Sequence, residues 1–350
     1  MSGNVTAAQT LNPARASEET PTGDGEMTKR PQNPICNPPW LQSGGEFTPS
    51  AGARYGKTCC GCLNARRSVA GNIASPGRAV TSFTSNGIAY DREGPRGEPP
   101  IVLIHAGVAD RRMWEAIWPA LAGERHVVRV DLRGFGDSAE RPAGPVSQAD
   151  DVYEVLSEIG ADRCHLVGAS FGAGVAVEVA LTRPTAVASL LLAAPGGSLL
   201  AEMTPDLRAF IDAERAALER GDLDAAVEAN LSCWVEGPHR SASQIDPTVR
   251  ELVGRMQRRA FEVTADWDDI EEKELVPPAL DRLGEITVPA LILVGGLDLD
   301  TVHDAAGRLV SGIPNARRVD WPDAGHLPSL ERPADFLGLL REWTAEHPPR

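Results

Sequence analysis

The chain is short of the features that would place it in a membrane, on a nucleic acid or in an oxidised compartment. No stretch approaches the ~18 consecutive apolar residues that cross a bilayer. The N-terminal segment MSGNVTAAQTLNPARASEETPTG lacks an apolar run of ~7–15 residues, so a secretory signal is not expected. Positive charge is in deficit: 34 Lys and Arg stand against 49 Asp and Glu, a formal net charge of −15. Such a surface repels phosphate backbones and anionic lipid, which argues against nucleic acid and membrane as partners and favours a small, neutral molecule. Cysteine supplies no disulfide framework, because four of the six, Cys36, Cys59, Cys60 and Cys62, cluster in the first 70 residues. A reducing, cytoplasmic setting follows as the expectation. The Cys59–Cys62 run lacks a second Cys or His pair at zinc-finger spacing, so no metal site is expected. Internal repeats are also missing.

Residues 1–77 are rich in Gly, Pro, Ser, Thr and Asn, with little periodicity. Such a segment buries too little apolar surface to offset its ordering entropy, and it reads as a disordered tail. From residue 78 the pattern changes. Arg78 to Phe83 and Gly87 to Tyr90 alternate around Ser85-Asn86-Gly87, as in an antiparallel hairpin. Short apolar runs follow at Ile101–His105, Val127–Leu132, Cys164–Ala169, Ser189–Ala194, Ala290–Val294 and Arg317–Trp321. Runs of this length suit parallel strands buried on both faces. Helical patterns lie between them: Asp151–Ile159, with Val152, Val155, Leu156 and Ile159 on one stripe, then Phe171–Leu181 and Asp335–Trp343. The alternation predicts an α/β fold with a doubly wound, mostly parallel sheet. Its core comprises 78–195 and 285–350. A charged, helical insertion at 196–284 interrupts it and should form a lid over the carboxyl ends of the strands.

Gly168-Ala169-Ser170-Phe171-Gly172 fits G-x-S-x-G. The string alone is weak, but it joins a strand to a helix, where a sharp turn can hold a serine hydroxyl exposed. Small neighbours are needed because flanking Cβ atoms would clash, and Gly168, Gly172 and Gly174 meet that need. In this context the chain resembles the α/β-hydrolase fold enzymes over about residues 78–350, with a likeness to their esterase and enol-lactonase branch.

The resemblance implies a serine nucleophile, then an acid, then a histidine in chain order, with no cofactor. Ser170 would be the nucleophile. An alcohol needs a base at neutral pH, and His326, in Asp323-Ala324-Gly325-His326-Leu327-Pro328, resembles the family's histidine loop. Gly295-Gly296-Leu297-Asp298 fits the family's G-x-x-D, making Asp298 the acid that orients the imidazole, with Asp300 as the alternative. The oxyanion would rest on the backbone N–H of Phe171 and on that of Gly107, with a shift of one residue left open because Ala106 occupies the first Gly slot. His105 is expected to bond within its own loop. Asp131 and Arg133, in D-L-R-G-F-G-D-S, are expected to brace a turn, and Met113, Trp114 and Trp118 to pack in the core. In the insertion, Trp234 could face the substrate pocket or pack within the lid, and the run Glu214–Arg220 reads as a solvated helix face.

The expected reaction is hydrolysis of a small ester or lactone through an acyl-enzyme. Hydrolysis of a C–C bond or an enol-lactone, or perhydrolysis, would use the same groups. A serine at 170 argues against alkyl-enzyme chemistry, which needs a carboxylate nucleophile. A binding protein with a vestigial triad is the remaining alternative.

Overall fold

The computed structural model describes residues 81–96 and 99–348. The expected 1–77 tail, its Cys59–Cys62 run and the first strand's Arg78 lie outside the described residues. Eight strands form one sheet: β1 (Ser82–Phe83), β2 (Ala89–Glu93), β3 (Ile101–Ile104), β4 (Val127–Val130), β5 (Cys164–Ala169), β6 (Val187–Ala193), β7 (Ala290–Gly295) and β8 (Ala316–Trp321). Their order across the sheet is β1-β2-β4-β3-β5-β6-β7-β8. The two pairs β1–β2 and β2–β4 are antiparallel and the rest are parallel.

The central strands are buried on both faces, and their side chains alternate between two apolar cores. Val102, Ile104, Leu166, Leu190 and Ile292 point into one core. It is closed by α2 (Gln148–Glu158), α3 (Phe171–Thr182) and α7 (Asp300–Gly312). Ile101, Leu103, Val167, Leu191 and Leu293 point into the other. That side is closed by α1 (Trp118–Ala122) and α9 (Pro333–Glu346). The short α8 (Pro328–Glu331) precedes α9. This division is the two-residue period of a strand applied to a sheet with helices on both sides. Met113, Trp114 and Trp118 belong to the second core.

The inserted stretch holds α4 (Pro205–Glu219), α5 (Leu223–Asn230) and α6 (Pro247–Val263), with a π-helical turn at Leu231–Glu236. Local signals start these helices. The Thr204 hydroxyl accepts from Leu207 N, and the Asp246 carboxylate from Thr248 N, each followed by proline at the first helical position. The run Glu214–Arg220 is not a uniformly solvated face. Glu214 is 1 % exposed and accepts from the Asn230 amide at 2.6 Å. The packing of α5 onto α4 covers a position that the helical pattern of α4 alone leaves open. Among the described residues, no helix is long and apolar enough to cross a membrane.

The strand order positions the site. After β3 the chain passes to β4 on one side, then returns to β5 on the other side of β3. The loops leaving β3 and β5 therefore diverge and open a crevice at their carboxyl ends, where ligands bind in open α/β sheets. The 131–138 loop beside it is braced by buried charges. Asp131 accepts from the backbone N–H of Arg111 and of Asp137, each at 2.8 Å, and pairs with the Arg111 guanidinium. Arg133 forks onto Asp151 at 2.8 and 2.7 Å, and burial pushes that carboxyl above its usual range. Replacing Arg133 by methionine leaves the Asp151 charge buried without its partner. Arg133→Met should lower the unfolding free energy in urea by about 3–5 kcal/mol, and Asp151→Asn in the same chain should recover part of that loss. Equal stability of wild type and Arg133→Met would refute the bracing role.

Candidate active site

Ser170 stands at the turn from β5 into α3, with φ +50° and ψ −114°. A non-glycine residue at positive φ is strained, and the strain persists only where the surroundings determine it. The surroundings are glycines. A Cβ on Gly168 would collide with the backbone of Gly172, and one on Gly172 with the carbonyls of Ile104 and His105. One on Gly196, after β6, would lie 2.8 Å from Ser170 Oγ. Backbone bonds lock the turn: Ser170 N donates to Ala193 O at 2.8 Å, and Gly196 N donates to Ser170 O at 3.1 Å.

Three side chains meet at this turn. Ser170 Oγ lies 2.7 Å from His326 Nε2. His326 Nδ1 lies 3.0 and 2.9 Å from the two oxygens of Asp298. With Nδ1 donating to the carboxylate, Nε2 is left to accept from the serine hydroxyl. His326 and Asp298 are only 3 % and 2 % exposed. Asp298 sits on the loop after β7 and also accepts from Leu299 N at 2.8 Å. The competing Asp300 is the first residue of α7, and the hydrogen bonds of the imidazole go to Asp298 and Ser170 instead.

Gly107 follows β3, and a Cβ added to it would lie 3.3 Å from Phe171 Cβ, so the two residues face each other across the crevice. Among the described residues, neither the Gly107 nor the Phe171 backbone N–H has a hydrogen-bond acceptor. Two free donors beside a serine hydroxyl form a cradle for negative charge, and the positive end of α3 adds to it.

His105 has no part in this set. Its Nδ1 donates to Ala106 O at 2.8 Å, and its Nε2 accepts from Leu132 N at 2.9 Å. It thereby ties the loop after β3 to the loop after β4. Burial pushes its pKa from 6.5 down to about 4. His165, inside β5, bonds Ser189 Oγ at 2.8 Å and is likewise lowered by burial to about 4.

Trp234 comes from the π-helical turn of the insertion. Its ring lies 4.6 Å, centroid to centroid, from the His326 imidazole and 5.4 Å from Phe210 on α4. The ring thus stands between Phe210 of the insertion and the imidazole of His326. The π-helical geometry itself has no signature that the sequence reading used. It widens the turn by one residue, a distortion found often at functional sites.

Known proteins share this fold. The family model described as alpha/beta hydrolase fold matches residues 99–333, and the chain belongs to that family. It is a hydrolase of that fold, as its relatives are. A pimeloyl-[acyl-carrier protein] methyl ester esterase of Aeromonas hydrophila is 28 % identical over 251 residues, covering 70 % of this chain and 95 % of the relative. A solved structure described as Est816, an N-acyl homoserine lactone degrading enzyme, is 27 % identical with a TM-score of 0.60, over 76 % of this chain and all of that one. A thermophilic esterase from Thermogutta terrifontis is 25 % identical with a TM-score of 0.61, over 77 % of this chain and all of that one.

His105 and His165 make stability depend on pH. Burial holds each near pKa 4, against 6.5 for a free imidazole. Below 6.5 the unfolded chain binds protons that the folded chain refuses, so stability falls as pH drops and levels off near 4. Each site contributes a loss of about 3 kcal/mol across that window. Calorimetry between pH 7 and pH 4 should show the decline, with a shallower slope for His105→Asn. An identical slope would contradict the assignment.

Proposed function

We propose that the protein hydrolyses small carboxylic esters or lactones through an acyl-enzyme on Ser170. The observation that carries this reading is the unbroken hydrogen-bonded line from Ser170 Oγ through His326 to Asp298, at 2.7 Å and then 2.9 Å. His326 takes the hydroxyl proton as Ser170 Oγ attacks the carbonyl carbon. Asp298 holds the imidazole tautomer and stabilises the imidazolium that forms. The backbone N–H groups of Gly107 and Phe171 receive the oxyanion, each such donor being worth about 3 kcal/mol. His326 then passes its proton to the leaving alcohol, or to the ring oxygen of a lactone. A water, activated by the same imidazole, releases the acid and restores Ser170. No group beyond these residues is needed, so no cofactor enters the scheme.

The segment 196–284 serves as the lid in this reading, with Trp234 and Phe210 as apolar walls for the acyl or alcohol part. The rings favour an uncharged substrate, in keeping with the acidic surface. The lactone option is supported by the similarity to the lactone-degrading structure, and the ester option by the methyl ester esterase and the thermophilic esterase. Cleavage of an enol-lactone or C–C bond would use the same three groups.

A fluorophosphonate probe should label the wild-type chain and fail to label Ser170→Ala. Asp298→Asn should lower kcat about 10³–10⁴-fold on a p-nitrophenyl ester, since the imidazole loses its tautomer partner. A graded series of acyl chains assayed beside a γ-lactone ranks the substrate classes. Hydrolysis persisting in Ser170→Ala would sink the reading. Trp234→Ala should raise KM for long-chain esters more than for acetate, and an equal effect on both would remove Trp234 from the pocket wall.

A further inference from the structure

Arg240 and Glu331 join the insertion to the loop that carries His326. Arg240 follows the π-helical turn, and Glu331 closes α8, five residues after His326. Their ion pair is short and largely buried, at 2.5 Å with side-chain exposures of 10 % and 15 %. Each partner then grips backbone on its own side of the junction. Arg240 Nε donates to Glu236 O at 3.0 Å and Nη2 to Val235 O at 2.8 Å, closing the end of the turn that presents Trp234. Glu331 Oε2 accepts from the N–H of Gly325 at 3.0 Å, the residue directly before His326. The Arg240 guanidinium lies directly against Gly325, where a Cβ would displace it. The same turn touches the acid loop: a Cβ on Gly237 would lie 3.1 Å from Leu297 O, next to Asp298.

We propose that Arg240 is a positioning residue for the hydrolysis, acting through Glu331 and Gly325 to hold His326 in line with Ser170 while fixing Trp234 over the imidazole. The inference rests on the hydrolase reading above. Its physical basis is the fork of the guanidinium, which grips a carboxylate and two carbonyls at once from one plane. Those bonds tie two segments 91 residues apart in the chain, and the charge on each partner is nearly desolvated. A lysine cannot satisfy both carbonyls and both carboxylate oxygens, so the conservative replacement should fail. Small misplacements of a base are costly, since about 1 Å can remove about a hundredfold in rate.

The test uses the purified full-length chain and three readouts: the rate of Ser170 labelling by a small fluorophosphonate, kcat and KM on p-nitrophenyl acetate, and the thermal midpoint. Rates are normalised to active sites counted by burst titration, so a partly unfolded sample does not mimic a slow one. Arg240→Ala, Arg240→Lys and Glu331→Gln should each slow labelling and lower kcat by about 10–100-fold, with KM for the acetate little changed. The double variant Arg240→Ala/Glu331→Gln should be no slower than the worse single, as expected for residues that act as a unit. Arg341→Ala, which breaks an exposed pair with Glu124, should leave every readout near wild type. If Arg240→Ala does not fold, the lysine and glutamine variants still decide the matter. Labelling at the wild-type rate in folded Arg240→Lys and Glu331→Gln overturns the proposal, as do single losses that multiply in the double variant. Either outcome leaves the hydrolase reading standing if Ser170→Ala is inert, whereas an active Ser170→Ala defeats that reading whatever Arg240 does.

Discussion

Crowding at one turn governs this molecule. Ser170 is held at positive φ between a strand and a helix, the backbone around it comes too close for any side chain at 168 or 172, and one at 196 would press on its hydroxyl. Loosening that contact would release the serine into an ordinary extended or helical conformation and withdraw its hydroxyl from the crevice. The strain is maintained by the cores on either side. Buried strands and the apolar α3 fix both ends of the turn, so the four atoms of the peptide between them have one place to go.

Around that point the architecture delivers chemistry from distant parts of the chain. The loops after β3, β5 and β7 and the loop after β8 all end at the same edge of a parallel sheet. Parallel strands make this inevitable, because every carboxyl end faces the same way. Gly107, Ser170, Asp298 and His326 can therefore be far apart in sequence and adjacent in space. His105 shows the division of labour on one such loop. It is buried, uncharged and bonded at both ring nitrogens, and its work is to tie two loops together.

Much of this was legible from the sequence because strand and helix leave different apolar periods. The strand read at Cys164–Ala169 has those limits in the structure, and the helix read from Phe171 extends one residue further, to Thr182. The doubly wound sheet followed from the alternation, Ser170 was found through a glycine-flanked strand-to-helix turn, and the other candidate residues through the family resemblance that turn supports. Other parts were hidden. The helix Asp300–Gly312 went unread because its small and polar residues give only a thin apolar stripe, and burial against the sheet supplies most of its stability. The place of Trp234 and the burial of Glu214 depend on which helix packs over them, and no local pattern encodes that. The Arg240–Glu331 pair spans 91 residues and looks like two unrelated surface charges until the fold joins them.

The way the insertion is anchored also limits how a substrate can enter. Val227, Leu231, Val235, Val253, Met256 and Phe261 are continuous with the core that α1 and α9 close. Exposing them at about 1.5–3 kcal/mol each would consume most of the roughly 5–15 kcal/mol that keeps a domain folded. Swinging the whole insertion away as a hinged door would therefore cost about as much as unfolding. A path that leaves those six side chains in place costs far less.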